Sequence, residues 1–515
     1  MTQAQAMAIM GGGYSVLLTG AAGSGKTYLL NKFVRYSRSI GKNVAVTATT
    51  GLAATHLNGT TIHSWSGIGI FNELPSGHIS RLSKQRTDLI QKADILVIDE
   101  ISMLHHFRLD MVNDVCKAVR GNAEPFGGLQ VILCGDFFQL PPVSRQGENE
   151  GKFITDSNIW QENGFEVCYL HEQHRQKQDK EYTDILNGIR KGFLTRTQLE
   201  ILHKRQDNLN HTDDIIVRLL TTNSNVDVIN QKRLTQITNK SYFYDMATSG
   251  SKKYVEQLKK SCLAPEVLEL KLGARVMCIK NSPDKKYYNG SLGVVDGFDS
   301  ATGCPNIMLK NGNIITIKPD TWELIDGDKK RASLTQLPLR LAWAITVHKS
   351  QGMTLDSAQI DLSNAFVEGM GYVALSRVRG LNSLILDGIN AMALRVSPAA
   401  KQIDIELQER SVRAVDNHKQ IIKEWESKPL DSYVVKETPN KTKPKTSWSD
   451  KLAKMRQEYP NAYKPWSDTD DKQLLIEFSN GSTIDALSKS LGRHQGSIKA
   501  RLQKHLGEDI FLSNN

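Results

Sequence analysis

A chain of 515 residues is long enough for two to four domains, and a hydrophobic content of 39% supplies their cores. No apolar run approaches the length of a membrane span, and the first residues carry neither a secretory signal nor an Arg-rich transit pattern. The net charge of +10 fits a polyanionic partner, while six cysteines without a C-x-x-C pair argue against a disulfide framework or zinc site and point to a reducing, cytoplasmic setting.

Near the start, Gly20-Ala21-Ala22-Gly23-Ser24-Gly25-Lys26-Thr27 matches G-x-x-x-x-G-K-[ST]. An apolar run, Val16–Leu18, precedes it, and Tyr28–Phe33 has helical spacing after it. In that strand–loop–helix context Gly20, Gly23, Ser24 and Gly25 would let backbone N–H groups surround a phosphate chain. Lys26 would reach the β- and γ-phosphates of ATP, and the Thr27 hydroxyl would hold Mg²⁺.

Apolar runs recur at Ser15–Thr19, Asn43–Thr47, Asp94–Ile98 and Gln130–Cys134, with helical patterns between them. Runs of this texture predict parallel strands covered on both faces, joined by right-handed crossovers. Ligands then gather at the carboxyl ends of the strands. Asp99 and Glu100 stand at one such end, where Asp99 can hold Mg²⁺ and Glu100 can polarise an attacking water. Gly135-Asp136-Phe137-Phe138-Gln139-Leu140-Pro141-Pro142-Val143 stands at the next, and the Gln139 amide can read a γ-phosphate.

Together with Thr60-Thr61-Ile62-His63-Ser64-Trp65 and the later motifs, these stretches resemble the PIF-type DNA helicases of superfamily 1, group B, relatives of RecD. The resemblance covers residues 1–390. It implies two RecA-like P-loop domains with ATP between them, and 5′→3′ movement on single-stranded DNA. It also implies roles for particular residues. A glutamine before the P-loop reads adenine, with Gln5 the better placed and Gln3 the alternative. Residues 66–86 correspond to a small wedge beside the DNA fork. Arg175, in Leu170–Gln176, and Arg377, in Gly371–Arg379, would both reach the γ-phosphate. Gln351 and Gly352 would couple DNA to nucleotide. Thr50, His63, Asn223, Thr346, His348 and Lys349 would contact DNA, with hydroxyl, imidazole and ammonium suited to phosphates. Trp65, Phe137 and Phe138 are candidates for stacking on bases.

Residues 243–265 are polar and lysine-rich and read as an irregular insertion. Short strands with Asn-Gly turns follow from Leu270, as in a small β-barrel. The sheet pattern resumes near Gln336. Beyond Leu394, Ile403–Lys423 reads as a polar helix and Lys436–Lys445 as a flexible basic linker. Trp466–Leu506 resembles a helix-turn-helix in which Arg493, His494, Gln495, Ser497, Lys499 and Arg501 would face DNA, with protein docking as the other reading.

The expected fold is therefore α/β, with two RecA-like domains, an inserted β-barrel and a C-terminal all-α unit. The expected boundaries are 1–171 for the first RecA-like domain, 172–269 and 331–394 for the second, and 270–330 for the barrel. A helix and linker would occupy 395–465, and the helix-turn-helix 466–508. The expected activity is ATP-dependent unwinding of DNA in replication, repair or recombination. A translocase without unwinding and a nucleotide-switched binding protein are the alternatives. The expected partners are single-stranded and forked DNA and replication or repair proteins, with no membrane. The protein is expected to be a cytoplasmic monomer, associated with the nucleoid in a prokaryotic or viral setting.

Overall fold

A computed structural model of the chain describes residues 1–142, 151–206, 216–426 and 455–507, apart from residues 58, 70, 177, 178, 283, 285, 310, 327, 328, 463 and 465. It divides into two compact units. The first comprises Met1–Val226, Leu324–Arg331 and Ile345–Thr438, and the second Asp227–Glu323, Ala332–Ala344 and Pro439–Asn515.

The first unit holds two sheets. The strands of the larger are β1 (Val16–Gly20), β2 (Val44–Ala48), β3 (Thr60–Thr61), β4 (Ile95–Asp99), β5 (Gln130–Cys134) and β6 (Glu166–Leu170), in the order β3-β2-β4-β5-β1-β6. All five neighbouring pairs are parallel. The apolar runs thus become strands within one residue of their expected limits. Both β1 and β4 are buried at every position, which is why neither shows polar alternation. Helices α1 (Gln3–Gly11) and α2 (Lys26–Ser39) cover the sheet, with Met7, Ile9, Leu29 and Phe33 packed against Val16, Leu18 and Ile132. The smaller sheet runs Ala344–Thr346, Val217–Leu220, Ala358–Leu362, Leu384–Ile389. Its third strand pairs in parallel with both the second and the fourth.

The segment expected as helix and linker is partly a wall of the larger sheet. Helices Pro398–Asn417 and Lys419–Glu426 return to it, and Ala414 and Ile422 enter the core that α1 and β1 build. Trp425 lies on Gly11, where an added Cβ would stand 2.0 Å from the indole. The basic stretch Lys436–Lys445 lies outside the described residues.

The second unit contains a five-stranded antiparallel sheet ordered Ile314–Thr316, Pro305–Leu309, Leu292–Phe298, Arg275–Cys278, Leu339–Leu341. Its limits differ from those expected. The unit opens at Asp227 and not at 270, and it extends to Ala344 because Leu339–Leu341 pairs with Arg275–Cys278. Residues 243–265 are not irregular. Tyr242–Asp245 pairs with Val267–Leu270, and helix Lys252–Ser261 lies between them in sequence. Packing explains the reassignment: Tyr242 stacks on Phe298 at 3.7 Å, and Tyr244, Leu268 and Leu270 share a core with Val276, Val295 and Ile307.

Helices Asp468–Ser479, Ile484–Ser490 and Gln495–Leu506 close the described chain around Trp466, Leu474, Leu487, Leu491, Ile498 and Leu502. Phe243 packs against this cluster, so the three helices are seated on the strand Tyr242–Asp245. Half of the residues expected to face DNA are used for that seating. Arg493 pairs with Asp470 at 3.0 Å and lies over Trp466. Arg501 donates to Asp471 at 2.6 Å and lies over Phe243, and the Ser497 hydroxyl donates to Asp245 at 2.6 Å. His494, Gln495 and Lys499 remain exposed.

Candidate nucleotide and DNA site

Strand β1 delivers the P-loop to the head of α2. Gly25 caps this helix with φ +85°, a conformation that a side chain would strain. Gly20 passes so close to β6 that an added Cβ would lie 2.5 Å from the Leu170 carbonyl. The Lys26 ammonium donates to the Gly20 and Ala21 carbonyls at 2.8 and 3.1 Å. The Ser24 hydroxyl is buried with no hydrogen-bond partner. A buried hydroxyl without a partner is costly, and a phosphate oxygen would relieve that cost.

The segment carrying Arg175 lies directly on this loop. The His174 N–H donates to the Gly23 carbonyl at 3.0 Å, and the Gln173 amide to the Ala22 carbonyl at 3.1 Å. Arg175 itself reaches the Ser376 carbonyl at 2.8 Å, beside Arg377. Arg377 is buried and donates to the Val373 and Met353 carbonyls and to the Ser376 hydroxyl. Among the described residues neither arginine has a carboxylate within ion-pair distance.

Strand β4 ends in Asp99, and Glu100 follows in a left-handed conformation, φ 54°. That turn presents Glu100 to Gln351, whose side-chain amide donates to its carboxylate at 3.0 Å and to the Gln139 side-chain Oε1 at 3.3 Å. Glu100, expected to polarise the attacking water, and Gln139, expected to read the γ-phosphate, are thereby joined to Gln351, expected to couple DNA to nucleotide. Gly352, with φ +77°, turns the chain after them.

The charges here are poorly solvated. Burial lowers Lys26 and Arg377, and burial with the neighbouring Arg377 pushes Arg175 down to about 9. Burial raises Asp99, and burial with the neighbouring Asp99 carboxylate raises Glu100 to about 7. Each group is moved toward its neutral form, so a bound anion would restore the cations. A carboxyl poised near neutrality is also suited to accept a proton from water.

Gln5 is not the glutamine over the P-loop. Its side chain accepts from the Thr2 N–H in a capping box. Gln3, the alternative, reaches the Ser24 carbonyl at 3.4 Å and His174 at 3.2 Å. Sequence reasoning also passed over a buried network. Asp136 accepts from Arg190 at 2.8 Å and from the Tyr372 hydroxyl at 3.2 Å, and that hydroxyl accepts from the Ala22 N–H at 2.9 Å. Burial alone would raise Asp136, but Arg190 and then Lys26 outweigh it and hold the carboxyl below its ordinary value. Asp136 and Tyr372 belong to recognised motifs, whereas nothing in the sequence separates Arg190 from a surface arginine.

The residues expected on DNA divide. His348 and Lys349 are half-buried beyond strand Ala344–Thr346, but Thr346 is buried and its hydroxyl accepts from the Lys349 N–H at 3.3 Å. The Thr50 hydroxyl caps the Ala53 N–H, and His63 sits 3.0 Å from Arg108. Asn223 heads helix Asn223–Thr235, with its side chain outside the described residues. The proposed stacking aromatics offer no free face. Trp65, Phe137 and Phe138 are all buried, Phe137 edge-on to Phe153 and Phe138 under the Arg190 guanidinium. The exposed ring near this segment is Phe366.

The PIF1-like helicase model matches residues 2–200, and the model of the DNA helicase Pif1 2B domain matches residues 253–298, inside the second unit. An ATP-dependent DNA helicase Pif1 from Psychrobacter is 39% identical over the whole chain and 84% of its own length. The crystal structure of Bacteroides Pif1 with ADP-AlF4 has a TM-score of 0.71 at 32% identity, covering 79% of this chain and 97% of that one. The Bacteroides Pif1 complex with ADP-AlF3 and ssDNA gives 0.56 at 33% identity, covering 80% and 98%. On these matches and this site, the chain belongs to the PIF1-like family of ATP-dependent DNA helicases.

Proposed function

We propose that this DNA helicase moves 5′→3′ on a single strand and opens forked duplex, with a task in replication, repair or recombination. We place it in the cytoplasm as a monomer in solution. The observation that carries the reading is the junction of Glu100, Gln139 and Gln351. Gln351 lies three residues after His348, so the amide touching Glu100 belongs to the segment expected on DNA. A shift of that segment moves the amide that orients Glu100, which gives DNA a route to hydrolysis.

In this reading Gln3 faces adenine, the P-loop amides and Ser24 hold the phosphate chain, and Glu100 orients the attacking water and takes its proton. Arg175 and Arg377 stabilise charge on the transferring phosphoryl group. Thr27, exposed at the head of α2, and Asp99, buried with its carboxyl raised, fit Mg²⁺, which usually takes one or two protein ligands beside phosphates and water. When bound, the ion would neutralise charge between the β- and γ-phosphates.

The test is unwinding of duplexes bearing either a 5′ or a 3′ single-stranded tail, with Lys26→Ala as the control. ATP-dependent opening of the 5′-tailed substrate alone is expected. Opening from the 3′ tail, or ATP hydrolysis with no opening, would overturn the directional reading.

A further inference from the structure

His348 was expected to meet a phosphate, yet its surroundings suit another role. Burial pushes its imidazole below the ordinary value, so the ring is neutral at pH 7 and brings no charge to a phosphate. Across from it stands Phe366, on the loop after strand Ala358–Leu362 and 61% exposed. Single exposed apolar residues are ordinary on a protein surface. Phe366 differs from the others because its ring faces that of His348, with centroids 6.5 Å apart and planes within 22°. That separation is about twice the ~3.4 Å rise between stacked bases.

We propose that His348 and Phe366 form a slot that takes one base of a single strand, so that this segment grips DNA by stacking and leaves the phosphates to other residues. The inference rests on the DNA-binding reading above and names where a base sits. Both walls of the slot lead to the nucleotide site. His348 lies three residues before Gln351, which donates to Glu100. Phe366 lies three residues before Gly369, whose position leaves an added Cβ only 2.7 Å from the carbonyls of Phe138 and Gln139. A base entering or leaving the slot would therefore press on two elements that end at the γ-phosphate residues.

The experiment is fluorescence anisotropy with an oligo-dT strand and with a strand of equal length made of abasic sites. The wild type, Phe366→Ala and Phe366→Trp are each titrated at several salt concentrations. Phe366→Ala should weaken binding of oligo-dT roughly five- to hundredfold. Its salt slope should stay as in the wild type, because stacking releases no counterions. Phe366→Trp should restore binding, and on the abasic strand all three proteins should bind alike. Unchanged affinity of Phe366→Ala for oligo-dT, or an equal loss on both strands, would overturn the slot while leaving DNA binding intact. A wild type that binds neither strand would overturn the DNA-binding reading and the slot with it.

Discussion

The nucleotide site and the C-terminal helices both bury arginines, but they treat the charge differently. Arg493 and Arg501 are buried beside Asp470 and Asp471 and covered by aromatic rings. Arg175 and Arg377 donate to carbonyls and a hydroxyl, without a carboxylate in ion-pair range among the described residues. A buried cation with its own counter-charge is satisfied and serves the scaffold. A buried cation lacking one is costly until an anion arrives, which is the condition of a binding site. The contrast separates two sets of residues that look alike in sequence.

The largest test of the contrast lies in the unmatched pair. Arg175→Ala and Arg377→Ala should each lower kcat for DNA-stimulated ATP hydrolysis by about 10³-fold, with little change in nucleotide affinity. An effect on KM alone would show that the residue binds ATP without acting on the transferring group. Next comes Asp136→Ala, which leaves Arg190 short of a buried partner and should destabilise the first unit by about 3–5 kcal/mol in chemical denaturation. Stability unaltered by that change would mean that Asp404, which lies 3.1 Å from Arg190, suffices alone.

The matched pair should behave in the opposite way. Arg501→Ala strips Asp471 of its partner and uncovers Phe243, and should cost about 1–3 kcal/mol in the second unit. Steady-state ATPase should remain at the wild-type rate, and a loss of kcat would break the distinction between scaffold and site. The smallest effect is expected at Lys499, exposed on helix Gln495–Leu506. If this helix lies on DNA, Lys499→Ala should lower the salt slope of duplex binding by about 1. An unchanged slope would favour protein docking for the helical unit.

The parts of the site that could be read from sequence were those built from local pattern. The P-loop, the Asp99-Glu100 strand end and the apolar runs each occupy a few neighbouring residues, and strand burial on both faces removes ambiguity. The sequence favoured Gln5 over Gln3 wrongly, because choosing between them depends on which one the helix start uses for its cap, and that is Gln5. The boundary at Asp227 was hidden for a different reason. Tyr242–Asp245 finds its partner strand more than twenty residues later, across a helix, and short polar strands resemble loops until they pair. Burial misled the choice of aromatics. Trp65, Phe137 and Phe138 sit beside motif residues, but sequence does not say which face of a ring is free.

Trp425 on Gly11 bears on the order in which the protein is made. The apolar side of α1 is closed by Ala414, Ile422 and Trp425, which a ribosome adds roughly 250 residues after β6. At ~5–20 residues per second, that delay is on the order of tens of seconds. During synthesis the larger sheet therefore waits with that side of α1 uncovered, a sticky surface of the kind that chaperones shield. The helix that carries Gln3 is consequently closed on that side only in the finished chain, when its late helices have come home.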